Sequence, residues 1–365
     1  MSNQKNRNIS KNLLFLKLAF RQAEFNQGST FLNPSVGCIV VKNNSVISSG
    51  RTSFNGRPHA EVNALKKNIN VSGGSLYVTL EPCSHYGKTP PCVKKIIKKK
   101  LNKVIFSIND VDKRSKDLAH KKLKIAKIDV KKFILKNYAE KFYKSYFMQS
   151  SSQIPFVDVK LAVSKDYLSI NKKQKWITNN NSRKVGNFLR SKYDCILSTS
   201  KTINADNCLL NCRIEGLVHK SPSVVIIDRS FEIKKNLKIF KDKSRKIYIL
   251  THNINTSKEK YFKSIGVNII KFDKSHFLKN EVYKIFSLIK KLGFNRVLIE
   301  SGIKYINEVL KSGLIENFYL FKSSLCLKNN GKNNSSSHLI KKLKTTIKNK
   351  IIINLNGDSL YKIQL

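Results

Sequence analysis

The chain contains Pro58-His59-Ala60-Glu61-Val62 and, farther along, Glu81-Pro82-Cys83-Ser84-His85-Tyr86-Gly87-Lys88-Thr89-Pro90-Pro91-Cys92. Three side chains of these stretches, those of His59, Cys83 and Cys92, are an imidazole and two thiols. Zinc takes such donors in sites that keep a fourth position open for water. Glu61 follows the histidine by two residues and is placed to move protons beside the metal rather than to bind it. The two stretches therefore predict a zinc centre with these three ligands and with Glu61 as its catalytic residue.

The sequence around the ligands also predicts local structure. Pro58 suits the first position of a helix, which would put His59 and Glu61 in the first turn. Residues 75–80 form a strand-like run, and Pro91-Cys92 opens a second helix. Two helix N-termini then face the metal, and their positive ends favour a thiolate at that point.

Each of these residues taken singly has a simple structural explanation. A buried Cys usually behaves as a small apolar side chain, and a zinc ion that only stabilises the fold would have no use for Glu61. The ligand set, the acid–base residue and the strand–loop–helix context agree, however, and favour catalysis. The pattern is typical of zinc base deaminases, in which water adds to an amine-bearing ring carbon and ammonia leaves.

The loop between the two cysteines has eight residues, Ser84 to Pro91, whereas the general deaminase pattern has two. Together with Asn33-Pro34-Ser35-Val36-Gly37-Cys38-Ile39-Val40, the stretch that ends at Cys92 resembles the deaminase half of the bifunctional riboflavin-biosynthesis deaminase/reductase family. The resemblance implies zinc-dependent deamination of 2,5-diamino-6-ribosylamino-4(3H)-pyrimidinone 5′-phosphate. Reduction of its ribosyl group by NADPH would then give 5-amino-6-(5-phosphoribitylamino)uracil. It also implies that Asn33 contacts the substrate.

The length of 365 residues predicts two domains, and we place the boundary at the polar linker, between residues 149 and 150. Strands and helices alternate in both parts. Residues 1–149 are predicted to form a three-layer, cytidine-deaminase-like α/β domain. For residues 150–365 the pattern predicts a second α/β domain, with helices over 182–191, 281–292 and 305–311 and a loop at 329–337. The family resemblance implies that this domain is similar to dihydrofolate reductase.

The second half lacks Gly-x-Gly-x-x-Gly, the usual dinucleotide fingerprint. The resemblance nevertheless extends through Lys160-Leu161-Ala162-Val163-Ser164, Trp176-Ile177-Thr178 and Glu300-Ser301-Gly302. It implies cofactor contacts at Val163, Trp176, Thr178, Thr202, Asp206, Arg229 and Gly302. The implied substrate contacts are Gln174, Arg190, Leu210, Arg213 and Glu300. From spacing alone, Trp176 could equally be a core aromatic residue and Arg190 a solvated helix residue.

Four positions of the second half depart from the family pattern. Tyr167 stands where the family usually has Gly, Asn207 and Cys208 stand in place of Asp-Pro, and Arg229 stands where the family often has Ser. An arginine elsewhere in the site suits the substrate phosphate, because a guanidinium donates two parallel charge-assisted hydrogen bonds.

The formal net charge of +47 suggests a nucleic-acid partner. A nucleic-acid base deaminase with a basic auxiliary domain is therefore the alternative function. Only 11 of the 70 basic residues are Arg, however, the type favoured for base and phosphate recognition. Lysine is accompanied by abundant Asn and Ile, which A/T-rich codons encode, so mutational bias is a second explanation of the charge. We expect a small phosphorylated pyrimidine as the partner and no nucleic acid.

No apolar run reaches 18 residues, which predicts no membrane-spanning helix. The polar N-terminus predicts no signal peptide. Seven cysteines without framework spacing favour a reducing, cytoplasmic location. The sequence leaves the oligomeric state open, a homo-oligomer included.

Overall fold

The computed structural model describes residues 2–66, 68–275, 277–333, 339, 343 and 350–365, and only the backbone conformation of residues 2–9. It divides into two compact units, Met1–Ser150 and Ser151–Leu365. Each unit has its own hydrophobic core.

The first unit alternates strands and helices. Its elements are α1 (Ser2–Glu24), β1 (Gly37–Lys42), β2 (Ser45–Arg51), α2 (Ala60–Ala64), β3 (Ser75–Val78), α3 (Cys92–Lys98), β4 (Lys103–Phe106), α4 (Leu118–Ile125), β5 (Asp129–Lys132) and α5 (Lys136–Ser151). Its sheet has the order β2-β1-β3-β4-β5. Strand β1 runs antiparallel to β2 and β3, whereas β3, β4 and β5 run parallel.

The two faces of this sheet pack against different helices. Cys38 and Val40 of β1 share a core cluster with Ala60 and Ala64 of α2. Ile39 and Val41 instead pack with Phe15, Leu16 and Ala19 of α1. The alternation of side chains along a strand thus produces three layers. Helix α1 approaches so closely that a Cβ atom on Gly37 would lie 1.8 Å from the carbonyl oxygen of Ala19.

The second unit begins at β6. Its elements are β6 (Phe156–Val163), β7 (Ile170–Asn171), α6 (Asn180–Arg190), β8 (Cys195–Thr199), α7 (Ser200–Asp206), β9 (Ser223–Ile227), β10 (Ile247–Thr251), α8 (Thr256–Ser264), β11 (Asn268–Lys271), α9 (Leu278–Lys291), β12 (Arg296–Ile299), α10 (Ile303–Ser312), β13 (Ile315–Lys322), β14 (Gly331–Lys332), β15 (Lys350–Leu355) and β16 (Asp358–Gln364).

A large mixed sheet, β11-β10-β9-β8-β12-β6-β13-β16-β15, forms the centre of this unit. Strands β6 and β8 to β13 pair in parallel, and β16 runs antiparallel to both β13 and β15. Helices α9 and α10 cover one face, with Phe286 and Ile306 buried. Leu189 of α6 and Phe262 of α8 lie in the core on the other face. The carboxyl ends of the parallel strands meet at one edge, where open α/β sheets bind ligands.

The three helices predicted in this unit are present, with shifted ends, as α6, α9 and α10. Helices α7 and α8 were not predicted. In the predicted loop, Gly331 and Lys332 instead pair with β7, and residues 334–337 lie outside the described residues.

Candidate functional site

The three predicted metal ligands lie together in the first unit. Their ligand atoms are all within 4.8 Å of one another. The Sγ atoms of Cys83 and Cys92 lie 3.6 Å and 3.5 Å from Nδ1 of His59. An imidazole and two thiols this close together fit the donor set of a catalytic zinc site.

Two helix starts and one loop position these ligands. His59 is the N-cap of α2, and Cys92 is the first residue of α3. The prediction that Pro58 begins a helix is wrong, because His59 still has an extended backbone and α2 begins at Ala60. A Cβ atom on Gly50 would lie 2.2 Å from the carbonyl oxygen of Ala60. Only glycine therefore allows α2 to pack this tightly on β2.

Hydrogen bonding sets the protonation of the two thiols. Hydrogen bonds with the side chains of Cys92 and His59 outweigh burial and lower the pKa of Cys83 to about 4. The backbone N–H of Cys92 also donates to the Cys83 sulfur over 3.2 Å. The contact with Cys83, together with burial, raises the pKa of Cys92. One thiolate therefore exists at neutral pH, and a metal that binds here displaces the proton of the second thiol.

Glu61 lies in the first turn of α2 and is only 4% exposed. Burial and the charge of Cys83 raise the pKa of Glu61 to about 7, although His59 opposes the shift. A bound divalent cation would favour the carboxylate form, because it adds positive charge nearby. A carboxyl group that titrates near neutrality can both accept and return a proton.

A buried carboxylate next to the ligand loop was missed by the sequence analysis. Glu81, 3% exposed, accepts hydrogen bonds from the backbone N–H groups of Asp110, Asp117 and Ala119 over 3.2, 3.0 and 3.1 Å. It thereby fixes the loop before α4. Ser115 of that loop lies 2.8 Å from Nδ1 of His85, in the segment between the two cysteines. The sequence signal was a charged residue directly after the strand-like run of residues 75–80.

The substitution Glu81→Gln should lower the free energy of unfolding of the first unit by about 1–3 kcal/mol, because the amide group faces backbone donors that it cannot all satisfy. Chemical denaturation measures the change. Glu140→Gln removes an exposed carboxylate of α5 that, among the described residues, pairs with Lys136, and it should change stability by less than about 0.5 kcal/mol. Equal stability of the two variants would show that Glu81 does not fix the loop.

Asn33 lies beside the ligand-bearing segment. Its backbone N–H donates to the carbonyl oxygen of Thr30 over 3.1 Å. Its side chain rests against Gly56, because a Cβ atom there would come within 2.4 Å of the Asn33 amide nitrogen. The structure thus brings Asn33 close in space to the turn that precedes His59.

A cavity of about 450 Å³ lies in the second unit. It contains eight of the twelve residues predicted there for cofactor and substrate: Trp176, Thr178, Arg190, Thr202, Asp206, Leu210, Arg213 and Glu300. Lys160, Arg183 and Asn187 also line it and were not predicted. Lys160 could have been found from sequence, because it is a lone cation in an apolar strand.

Arg190, Glu300 and Lys160 form a charge cluster in the cavity wall. Arg190 donates to both carboxylate oxygens of Glu300, over 2.6 and 3.0 Å, and Nζ of Lys160 lies 3.6 Å from Glu300. Burial opposes ionisation of Glu300, but the charges of Arg190 and Lys160 prevail and lower its pKa to about 2. The two N–H groups of its Nη1 donate to Asn187 and to the carbonyl oxygen of Asn211. Arg190 is therefore not a solvated helix residue, and four of its five N–H donors are already used within the protein.

Polar groups converge where β8 and β12 end. The hydroxyl groups of Thr199 and Ser301 lie 3.1 Å apart, and the backbone N–H of Gly302 donates to Oγ1 of Thr202 over 3.1 Å. Gly302 is the N-cap of α10. On the opposite wall, the Arg183 guanidinium lies 5.0 Å from the ring centroid of Trp176. Trp176 is 51% exposed, so it is not a core aromatic residue.

Four of the predicted contacts are not in the cavity lining. Gly302 contacts the lining residue Thr202, and Gln174 is exposed next to the lining residue Lys175. The Val163 side chain is fully buried in the core. The Arg229 guanidinium pairs with Glu281 at 2.5 Å and with Glu308 at 3.0 Å.

Two departures from the family pattern have left-handed backbone conformations. Tyr167 has φ of 66° and Asn207 has φ of 43°. A side chain other than that of Gly or Asn strains the backbone in this region. The glycine that is usual at position 167 in the family would relieve such strain.

Among the described residues, every helix is too short or too polar to span a bilayer. All seven cysteines lie in the described part of the chain, and each is a free thiol.

The protein families that match this chain agree with the zinc site of the first unit and with the cavity of the second. Residues 9–108 match the cytidine and deoxycytidylate deaminase zinc-binding region. Residues 155–350 match the RibD C-terminal domain. The α/β fold classes predicted for the two halves are confirmed. Zinc, for which the first unit supplies the donors, and NADPH, predicted for the reductase domain, are the cofactors of these two domains.

The chain is similar over most of its length to riboflavin biosynthesis proteins RibD. It is 32% identical to that of Buchnera aphidicola over 338 residues, which cover 88% of this chain and 89% of the relative. It is 30% identical to that of Aquifex aeolicus, covering 86% and 87% of the two chains. The structure of Acinetobacter baumannii RibD superposes with a TM-score of 0.78 at 25% identity, covering 98% of this chain and 99% of that one.

A deaminase/reductase structure from Thermotoga maritima has a TM-score of 0.77, also at 25% identity and with coverage of 98% and 99%. Because the matches span both halves, the alternative of a nucleic-acid base deaminase is not favoured. The chain belongs to the RibD family of riboflavin biosynthesis proteins and is a bifunctional deaminase and reductase.

Proposed function

We propose that the first unit deaminates diaminohydroxyphosphoribosylaminopyrimidine and that the second reduces 5-amino-6-(5-phosphoribosylamino)uracil, the two reactions named for the Thermotoga maritima relative. The observation that carries the proposal is the set of three donor atoms within 4.8 Å of one another, with a buried acid two residues from the histidine. The small phosphorylated pyrimidine is thus the partner of both units.

In the first unit, His59, Cys83 and Cys92 hold zinc, which when bound lowers the pKa of a water molecule that can attack the substrate ring. Glu61 accepts the proton of that water and returns it to the departing amine. Its burial beside the ligand residues supports this role, because a carboxylate positioned next to the water can accept its proton and return it. Asn33 contacts the substrate from the neighbouring loop.

In the second unit, Trp176, Thr178, Thr202 and Asp206 would hold NADPH in the cavity that they line. The cofactor, when bound, would supply the hydride for the ribosyl carbon. Glu300 hydrogen-bonds the substrate hydroxyl groups, with its charge and orientation fixed by Arg190.

The substrate phosphate is bound by Arg213. Its guanidinium donates a hydrogen bond of 2.9 Å to Oδ1 of Asn211, and the side chain is exposed at the cavity wall. Arg190, by contrast, is already engaged with Glu300. A guanidinium with free donors suits a phosphate.

Replacement of a metal ligand should remove both the metal and stability. The variants Cys83→Ala and Cys92→Ser should lose zinc and unfold at lower temperature, because metal binding and folding are linked. Metal analysis and thermal unfolding measure the two effects. Cys38→Ala removes a buried thiol of the same unit and should retain zinc. Full zinc content in both ligand variants would mean that the ligands lie elsewhere.

The proposed function is tested by incubating the protein with the diaminopyrimidine ribotide, with and without NADPH, and identifying the products by mass spectrometry. Without NADPH, we expect a product in which oxygen replaces the amine nitrogen. With NADPH, that product should gain two hydrogens. Unchanged substrate in both samples would contradict the proposal, and the first product alone would limit it to the first unit.

We also propose a cytoplasmic location. The free thiols support it, because proteins in oxidising compartments commonly form disulfides.

A further inference from the structure

We propose that Asp358, a residue beyond the segment matched by the RibD C-terminal domain, is a positioning residue of the reductase unit. It fixes the start of helix α6 and, through that helix, the cavity wall that binds cofactor and substrate. The proposal rests on the assignment of the cavity to NADPH and the ribosylamino substrate.

The carboxylate of Asp358 joins three separate segments. One oxygen accepts hydrogen bonds from the backbone N–H of Asn179 over 2.9 Å and from the Ser182 hydroxyl over 2.7 Å. The other accepts from the backbone N–H of Ser324 over 3.1 Å. Asp358 is only 6% exposed. A buried carboxylate with three donors is both charge-assisted and geometrically fixed.

The hairpin formed by β15 and β16, which carries Asp358, makes a second set of contacts with the N-cap residue of α6, Asn179. Oδ1 of Asn179 accepts from the backbone N–H of Ser182 over 3.0 Å, as an N-cap does. Its amide nitrogen donates to the carbonyl oxygens of Leu355 and Asn356, over 2.5 and 3.1 Å. The turn between β15 and β16 therefore holds the first turn of α6 through both a side chain and a backbone group.

Helix α6 carries much of the cavity wall. Arg183, Gly186, Asn187 and Arg190 all line the cavity, and the residues just before the helix, Trp176 to Thr178, line it as well. Arg183 also donates to the carbonyl oxygen of Thr178 over 2.7 Å. A shift of the helix start would therefore displace the segment assigned to the cofactor and the arginine that holds Glu300.

The location of Asp358 favours a positioning role over a general structural one. Its negative charge lies at the N-terminus of an 11-residue helix, where the helix dipole attracts it. Its donors belong to α6 and to the segment after β13, and both adjoin the cavity, since Phe321 at the end of β13 lines it too. A misplacement of about 1 Å in a positioned group can cost on the order of 100-fold in activity, even when the mutation is far from the reacting atoms.

The test uses Trp176, the only tryptophan of the chain, whose fluorescence reports NADPH in the cavity by quenching and energy transfer. The full-length variant Asp358→Asn should bind NADPH about 10- to 100-fold more weakly than the wild type, while ammonia release by the first unit stays unchanged. The matched control is Ile363→Ala, which removes a buried side chain from the same strand, away from the cavity. It should lower the unfolding temperature and leave NADPH affinity within about twofold.

A second variant keeps the test decisive if Asp358→Asn folds poorly. Ser182→Ala retains the carboxylate and removes one of its donors, so it should weaken NADPH binding less than Asp358→Asn does. Because Ser182 also lines the cavity, a double variant separates the two effects wherever Asp358→Asn folds. Adding Ser182→Ala to Asp358→Asn should weaken binding by less than about a further twofold, because coupled groups are not additive. Wild-type affinity in Asp358→Asn, or equal weakening in Ile363→Ala, would overturn the positioning role. A wild-type protein that shows no Trp176 response to NADPH would overturn the cavity assignment as well.

Discussion

The variant Glu61→Gln should release ammonia about 100- to 10 000-fold more slowly than the wild type, the range expected when a general acid–base group is removed. The amide has nearly the same shape as the carboxylate but cannot accept the proton of the attacking water. The zinc content should not change, because Glu61 is not one of the three clustered ligands. Steady-state ammonia release and metal analysis on the same preparation measure both quantities.

The reductase reaction supplies the internal control for Glu61→Gln. Reduction of externally added 5-amino-6-(5-phosphoribosylamino)uracil should proceed at the wild-type rate, because the cavity of the second unit is lined by residues of that unit. A variant that retains most of its ammonia release would exclude Glu61 as the proton carrier. Loss of zinc together with activity would instead make Glu61 necessary for the metal site.

The variant Arg190→Met should lose reductase activity and should lower the free energy of unfolding of the second unit by about 3 kcal/mol or more. The reason is the carboxylate of Glu300, which is 9% exposed and would keep only Lys160 as a cationic partner. Breaking a buried ion pair by removing one partner leaves a charge that is poorly compensated. Trp176 belongs to the second unit, so its fluorescence during denaturation follows this unit alone.

A double variant distinguishes two causes of the destabilisation, the unpaired buried charge of Glu300 and the loss of side-chain packing. Adding Glu300→Gln to Arg190→Met should restore most of the stability and none of the reductase activity. The unpaired buried carboxylate is then gone, and Lys160, the remaining charge, keeps 23% of its side chain exposed to solvent. The pH dependence gives an independent check. The wild-type pKa of Glu300 is about 2, below its unfolded value, so the ion pair stabilises the wild type above about pH 4 and is lost as the pH falls toward 2.

The variant Arg190→Met lacks this ion pair, so it cannot lose the corresponding stabilisation as the pH falls from about 4 toward 2. The difference in unfolding free energy between wild type and variant should therefore shrink below about pH 4. A difference that stays constant with pH would attribute the destabilisation to lost packing rather than to the charge.

The zinc site could be predicted because its chemistry is local. His59, Cys83 and Cys92 lie within 34 residues, and each precedes or follows an element whose sequence pattern is clear. The turn before α2 was not predictable to the residue, because the helix preference of Pro58 does not fix where the first helical dihedral angles begin.

The reductase cavity could be predicted from the sequence less completely than the zinc site. Parallel strands covered on both faces are apolar on both sides, so the pattern does not reveal which face Val163 takes. Arg229 pairs with Glu281 and Glu308, which are 52 and 79 residues away, and such pairs have no local signal. Helices α7 and α8, by contrast, did have a local sequence signal, since Thr199 and Asn255 are N-cap residues that accept hydrogen bonds from the first turn.

The close packing of α1 and α2 on the first sheet limits how this sequence can evolve. This chain is rich in Lys and Asn, and its solvent-exposed positions tolerate such large polar side chains. At Gly37 and Gly50 even a methyl group would overlap a neighbouring backbone oxygen. Substitution therefore has to stop at these two glycines, whatever the mutational pressure. A side chain at Gly37 would displace α1 from the sheet, and one at Gly50 would displace α2, the helix that carries Glu61.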